Sequence, residues 1–178
     1  MKVYTLWHIL CAGLCLLLCG CSTARTPSSA GSTQGGTGGE PLDMTVFSFH
    51  HTASRADECF HFEVKREGDE IHLSAEELFF NGRIVDAVVE EELLERLEEL
   101  GGKYGIDRWD GFDQSKKRVS DGSTFTLSLI LADGTTVSAH GSNAFPENYA
   151  EVAAEIKTLY TEVMDHYADI GTEGEDAP

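Results

Sequence analysis

Basic residues are scarce in this chain: 13 Lys and Arg stand against 31 Asp and Glu, a formal net charge of −18. A field of that sign repels phosphate backbones and anionic headgroups. Nucleic acid is therefore excluded as a partner, and any membrane attachment must be covalent or hydrophobic. A cationic ligand or an envelope protein is the kind of partner such a surface favours. Cysteine is also sparse where it matters. Of five cysteines, Cys11, Cys15 and Cys19 fall in an apolar leader, leaving Cys21 and Cys59, too few for a disulfide framework once Cys21 is otherwise committed. There is no phosphate loop, dinucleotide fingerprint or Cys-x-x-Cys pair, so no cofactor is expected. Nor is there an apolar run of the roughly 20 residues that a membrane-spanning helix needs.

What is present begins with a short apolar run. Lys2 precedes Leu6 to Cys19, LWHILCAGLCLLLC, which has the charge and length of a signal-peptide core rather than of a span. It ends in Leu18-Cys19-Gly20-Cys21, which resembles the lipobox of bacterial lipoproteins, with Cys19 where Ala or Ser is more usual. The resemblance implies cleavage before Cys21, attachment of diacylglycerol to its sulfur, and an extracytoplasmic, membrane-anchored location. Two acyl chains at about 0.8 kcal/mol per buried CH₂ hold stably where one is marginal.

Residues 22–41, STARTPSSAGSTQGGTGGEP, are too poor in apolar side chains to fold. As a flexible tether they reach roughly 25 Å. The expected organisation is a signal peptide over 1–20, lipidated Cys21 and linker over 21–42, a single α+β domain over 43–170, and an acidic tail over 171–178.

Within that domain, side-chain alternation predicts strands. In DMTVFSFHHT, Phe47 and Phe49 share one face while Val46, Ser48 and His50 share the other. Phe60, Phe62 and Val64 alternate with Cys59, His61, Glu63 and Lys65, and Gly68-Asp69 turns the chain into a third strand with Ile71 and Leu73 inward and His72 outward. Leu78–Phe80 is expected as a fourth short strand, with Arg83–Asp86 pairing back across Asn81-Gly82. A helical stripe of Val89, Leu93, Leu94, Leu97, Leu100 and Tyr104 predicts a helix from about Val88 to Tyr104, loosened and stopped by Gly101-Gly102 and Gly105.

Phe125, Leu127, Leu129 and Leu131 then form the strongest strand pattern in the chain. A three-residue loop of Ala132, Asp133 and Gly134, with Gly134 left-handed, sets Leu129 opposite Val137 and Leu127 opposite Ala139, and places His140 beside Thr126. Pro146 suits a first helical position, and Tyr149, Val152, Ala153, Ile156, Leu159, Tyr160, Val163 and Tyr167 make the stripe of a long final helix. In WDGF, Trp109 and Phe112 are expected to cap an edge of the core. The fold class is α+β: an antiparallel sheet of five to seven strands with two helices on its apolar face.

Trp109-Asp110-Gly111-Phe112, the hairpin residues Asp121, Gly122, Phe125, Leu127, Asp133 and Gly134, and Ala139, Gly141, Asn143, Phe145 and Pro146 together resemble a group of bacterial lipoproteins and exported domains. That group carries a WDGF loop, a DG-S-F-L hairpin and a GSNAFP-type segment before a final helix. The resemblance covers about the last 80 residues and brings no assigned activity.

Several constellations bear on chemistry. Hairpin pairing of the first three strands puts His50, Cys59, His61 and His72 on one face, a donor set suited to Zn²⁺ or Cu. Its alternative is a plain polar sheet face. Ser123 or Ser138, His140 and Asp121 can be drawn as a hydrolase triad, but neighbouring polar residues on a hairpin rarely supply nucleophile, oriented base and oxyanion donors together. Asp107, Asp110 and Asp113 recur every third residue without the order of a calcium loop. Ser142 and Asn143 before the last helix suit capping, or an anion on its first amides. The reading that results is a non-enzymatic binding or interaction module, with metal binding and hydrolysis as alternatives and no metal or catalytic residue assigned.

Overall fold

A computed structural model describes residues 39–117 and 121–171. The leader, Cys21 and its expected lipid, the linker to residue 38 and the tail from residue 172 lie outside the described residues.

The elements follow the alternation in the chain. Strands β1 (Met44–Thr52), β2 (Phe60–Glu67), β3 (Glu70–Glu77) and β4 (Ile84–Val89) form a meander, followed by helix α1 (Glu92–Tyr104) and the short strand β5 (Asp113–Ser115). Strands β6 (Thr124–Leu131) and β7 (Thr136–Ser142) make a hairpin, and helix α2 (Tyr149–Gly171) closes the fold. The seven strands lie in the order β4-β3-β2-β1-β6-β7-β5, all neighbours antiparallel except β5 and β7. The α+β architecture read from the sequence is therefore present, at the upper end of the expected strand count.

The core sits between one sheet face and the two helices. Phe47, Phe49, Phe62, Phe125, Leu127 and Leu129 from the sheet are fully buried against Leu94 and Leu97 of α1 and Val152 and Ile156 of α2. Every one of these residues is on the apolar side of a strand alternation or a helical stripe. Trp109 packs edge-on to Phe125, their ring centres 6.0 Å apart, so WDGF does close an end of the core.

The hairpin register follows the three-residue loop. Gly134 has φ +84°, Leu131 N–H donates to Thr135 O at 2.8 Å, and Leu129 pairs with Val137, Leu127 with Ala139 and Thr126 with His140.

Three expectations are corrected. Leu78–Phe80 is a turn, not a strand; β3 runs on to Glu77 and its partner is Ile84–Val89. Val88 and Val89 consequently belong to β4, with Val89 opposite Ile71, and α1 starts at Glu92. Two apolar residues at a strand-to-helix junction satisfy either period, and pairing with β3 decides the matter.

Gly101 and Gly102 lie inside α1, which runs on to Tyr104 as expected. They let the chain entering β1 cross the helix: a Cβ on Gly101 would stand 2.8 Å from Met44 Cε, one on Gly102 would overlap Glu40 O, and Leu42 N–H donates to Glu98 O. The chain is thus seated on α1 from Gly39, where Gly39 N–H meets Gly102 O at 3.1 Å. Gly105, at φ +60°, ends the helix as expected. Third, α2 begins at Tyr149, not Pro146; Pro146 O accepts the Tyr149 N–H, and left-handed Asn148 intervenes.

Candidate functional site

Both helices occupy one side of the sheet, so among the described residues the opposite side carries no covering layer. Alternation determines what that side presents. Strand pairing lines these outward residues into rows that cross the sheet. The first row reads Asp113, His140, Thr126, His50, His61, Glu76 and Ile84, one residue from every strand in spatial order from β5 to β4. The second reads Ser138, Ser128, Ser48, Glu63, Ser74 and Asp86, and the third Thr136, Ile130, Val46, Lys65, His72 and Val88.

Three of the four imidazoles in these rows, His140, His50 and His61, therefore stand in one row, with a line of hydroxyls and carboxylates beside it. Directly opposed cross-strand residues stand about 4.5–5.5 Å apart, so neighbours in a row are in contact range.

The first row holds two separate groupings. At one end His140 Nδ1 lies 3.2 Å from Asp113 Oδ1, over a shallow depression of about 470 Å³ lined by Asp110, Gly111, Phe112, Asp113, Ser138 and His140. WDGF builds it: Gly111, at φ +72°, donates its N–H to Ser138 O, Asp110 Oδ1 accepts the Ser138 N–H, and His140 N–H reaches Phe112 O at 2.7 Å. The partner of His140 is thus Asp113 rather than Asp121. Ser123 donates its N–H to Asn143 Oδ1 in the neighbouring turn. Asp107, Asp110 and Asp113 divide their roles between a 3-10 turn, the Ser138 amide and His140 instead of facing one ion. Asn143, left-handed at φ +53°, is used in that turn and spans Ser123 and Lys116.

In the middle of the row His50 faces His61, ring centres 6.0 Å apart, and His61 Nε2 is 3.3 Å from Ser48 Oγ. The other two members of the expected metal set are elsewhere. Cys59 turns into the 53–58 loop, where its sulfur contacts Ala53 N, Ala53 O and Arg55 O at 3.2–3.3 Å. His72 pairs with Lys65 in the third row and leans on Glu70 at 3.4 Å, beside a groove of about 380 Å³ that also takes in Glu63, Glu67, Ser74, Asp86 and Val88. The four donors do not converge. No group of three or more His, Cys, Asp or Glu among the described residues is arranged to hold a metal ion.

Two histidines are held below their ordinary pKa. Burial lowers His50 first and the neighbouring His61 second, with Glu76 opposing; His51, on the core side with Nδ1 2.9 Å from the Tyr149 hydroxyl, is lowered by burial and by Lys157 against Glu58. A histidine that binds its proton more weakly folded than unfolded leaves the unfolded chain holding more protons. Its stabilising effect is complete above about pH 6.5 and is lost as pH falls through the depressed folded value. Urea midpoints should accordingly fall between about pH 7.5 and about pH 5.5, and H50Q/H51Q should flatten that fall. Glu98, raised by burial, slopes the other way but is common to both proteins. An unchanged pH slope in the double variant would refute the assignment.

The signals that the sequence reading missed are Asp113 as the partner of His140 and Glu76 as the carboxylate next to His61. Both depend on strand neighbours remote in the chain. Among the described residues no helix is long and apolar enough to cross a membrane. Compared with protein-family models and with curated proteins, the chain matches none.

Proposed function

We propose that this chain is a lipid-anchored, extracytoplasmic binding module without catalytic activity, which presents its uncovered sheet face to a partner. The observation that carries the binding reading is that face: a seven-stranded sheet with helices on one side and rows of His, Ser, Thr and acidic residues open on the other. Its depressions are shallow and its polar groups are spread along rows. Breadth of this kind suits contact with a surface or an extended chain better than enclosure of a small substrate. The anchor reading is supported by Leu18-Cys19-Gly20-Cys21 and the Ser/Thr/Gly tether, and the net charge of −18 favours a basic partner.

The test is fractionation of bacterial cells that express the full chain and are fed labelled palmitate. Wild type should be labelled and pelleted with membranes, whereas Cys21→Ser should be unlabelled and soluble. Wild type that stays unlabelled in the soluble fraction would remove the anchor from this reading.

A further inference from the structure

We propose that the free edge of β4 is a strand-addition site for an extended segment of a partner protein carrying a basic residue between two apolar ones. This rests on the binding-module reading above and names the partner class for it.

The backbone comes first. Glu77 N–H donates to Arg83 O at 2.9 Å, a bond in register with the β3–β4 ladder one step beyond Glu76 and Ile84, while Arg83 N–H goes to the Glu77 carboxylate. Hydrogen-bonded and non-hydrogen-bonded pairs alternate along an antiparallel ladder, so Val85, Ala87 and Val89 direct their N–H and C=O toward β3. Ile84, Asp86 and Val88 direct theirs away from the sheet. Among the described strands β4 is the last on that side, and those groups meet no further strand.

Side chains mark the edge as well. Native sheets guard long edges with Pro, Lys, bulges or brevity. The opposite edge, β5, has three exposed polar residues, Asp-Gln-Ser. β4 is six residues, IVDAVV, paired without interruption to β3, and exposes Ile84 at 63% and Val88 at 55%. Phe79 and Phe80, 42% and 91% exposed, extend the apolar surface in the adjoining turn. Asp86 is the only charge on the strand.

Charge selects the occupant. Two copies of β4 can pair antiparallel with like faces together in two central registers. One stacks Asp86 on Asp86; the other sets Asp86 against Val88 and Ile84 against Glu90. Like charges directly opposite destabilise a pair, and carboxylates facing aliphatic side chains forgo a partner. Glu63 and Glu67 in the adjacent groove add to the same sign, only Lys65 opposing. A strand that places Lys or Arg opposite Asp86 and apolar residues opposite Ile84 and Val88 satisfies backbone, shape and charge together.

The test uses the full-length chain in neutral detergent and a fluorescein-labelled peptide, Thr-Val-Thr-Lys-Thr-Val-Thr, read by anisotropy, with a Glu-centred peptide as comparison. The Lys peptide should bind at least about tenfold more tightly than the Glu peptide. Val88→Pro removes only an outward N–H, the one place where an edge strand accepts proline, and should weaken binding at least about tenfold. Asp86→Lys should reverse the peptide preference, and it decides the question if the proline variant loses its near-ultraviolet circular dichroism. Absent binding, equal binding to wild type and Val88→Pro, or a preference that ignores Asp86→Lys overturns the proposal. A stable dimer of the wild type that Val88→Pro dissociates overturns it too, in favour of a second copy. The palmitate result is independent of all four, so the edge site can fail while the anchored module stands.

Discussion

Phe125→Ala is expected to cost about 3–5 kcal/mol of folding stability, the range for removing a fully buried phenylalanine. Phe125 is completely buried and is the hub of the aromatic end of the core. Its ring centre lies 4.6 Å from that of Tyr149, 6.0 Å from Trp109 and Phe145, 6.2 Å from Phe112 and 6.3 Å from Phe49. Those rings belong to four different segments, so none can close the cavity without leaving its own contacts. Against a total stability of roughly 5–15 kcal/mol, the loss leaves a marginal fold, visible as a large drop in urea midpoint. Phe80→Ala, 91% exposed, should change it by no more than about 0.5 kcal/mol. Equal effects of the two substitutions would mean that the core does not centre on Phe125.

Gly141→Ala should cost about 1–3 kcal/mol or above. A Cβ there would overlap both the Ala144 carbonyl oxygen and the Phe125 ring edge. The first is backbone, and the second is held by five aromatic neighbours, so neither yields cheaply. Gly134 gives the instructive comparison. A Cβ there meets open space, and the cost of Gly134→Ala, about 1 kcal/mol, comes from its φ of +84° alone. Pairing Gly141→Ala with Phe125→Leu, which withdraws the ring edge, should recover part of the loss. Chemical denaturation of the two single variants and the double would show it as non-additivity, and strict additivity would dissociate Gly141 from the Phe125 contact.

The same residues show how much of the fold the chain discloses and where disclosure stops. Strand faces in β1, β2, β3, β6 and β7 were legible because one side of each is buried by helices and the other is not. Alternation then has a physical cause on both sides. The register of β6 and β7 was legible because only one loop length keeps Leu127 and Leu129 opposite apolar partners. β5 was not, since three exposed residues in a parallel pair leave no periodic trace. Val88 and Val89 were misassigned because a strand running into a helix offers apolar residues to both periods.

For the site, membership of the polar face was readable strand by strand, but its order was not. That His140, His50 and His61 stand in one row depends on β1 lying beside β6, a neighbour relation that no local spacing encodes. The proposed metal set failed for a local reason: Cys59 precedes the first residue of β2 and turns into a loop, and His72 lies in a different row.

The pairing of β1 with β6 also governs how the chain reaches this structure. β1 to β4 form by successive local reversals, and β6 with β7 by another, but Phe49 meets Leu127 only across the seam that joins the two groups. Contacts between residues so distant in sequence carry a large closure entropy and form slowly. Until the seam closes, β1 and β6 are each an unpaired margin of their own group of strands. Joining β1 to β6 is therefore a step that no local reversal accomplishes, and the Thr52–Thr124 hydroxyl pair is among the contacts that form only there.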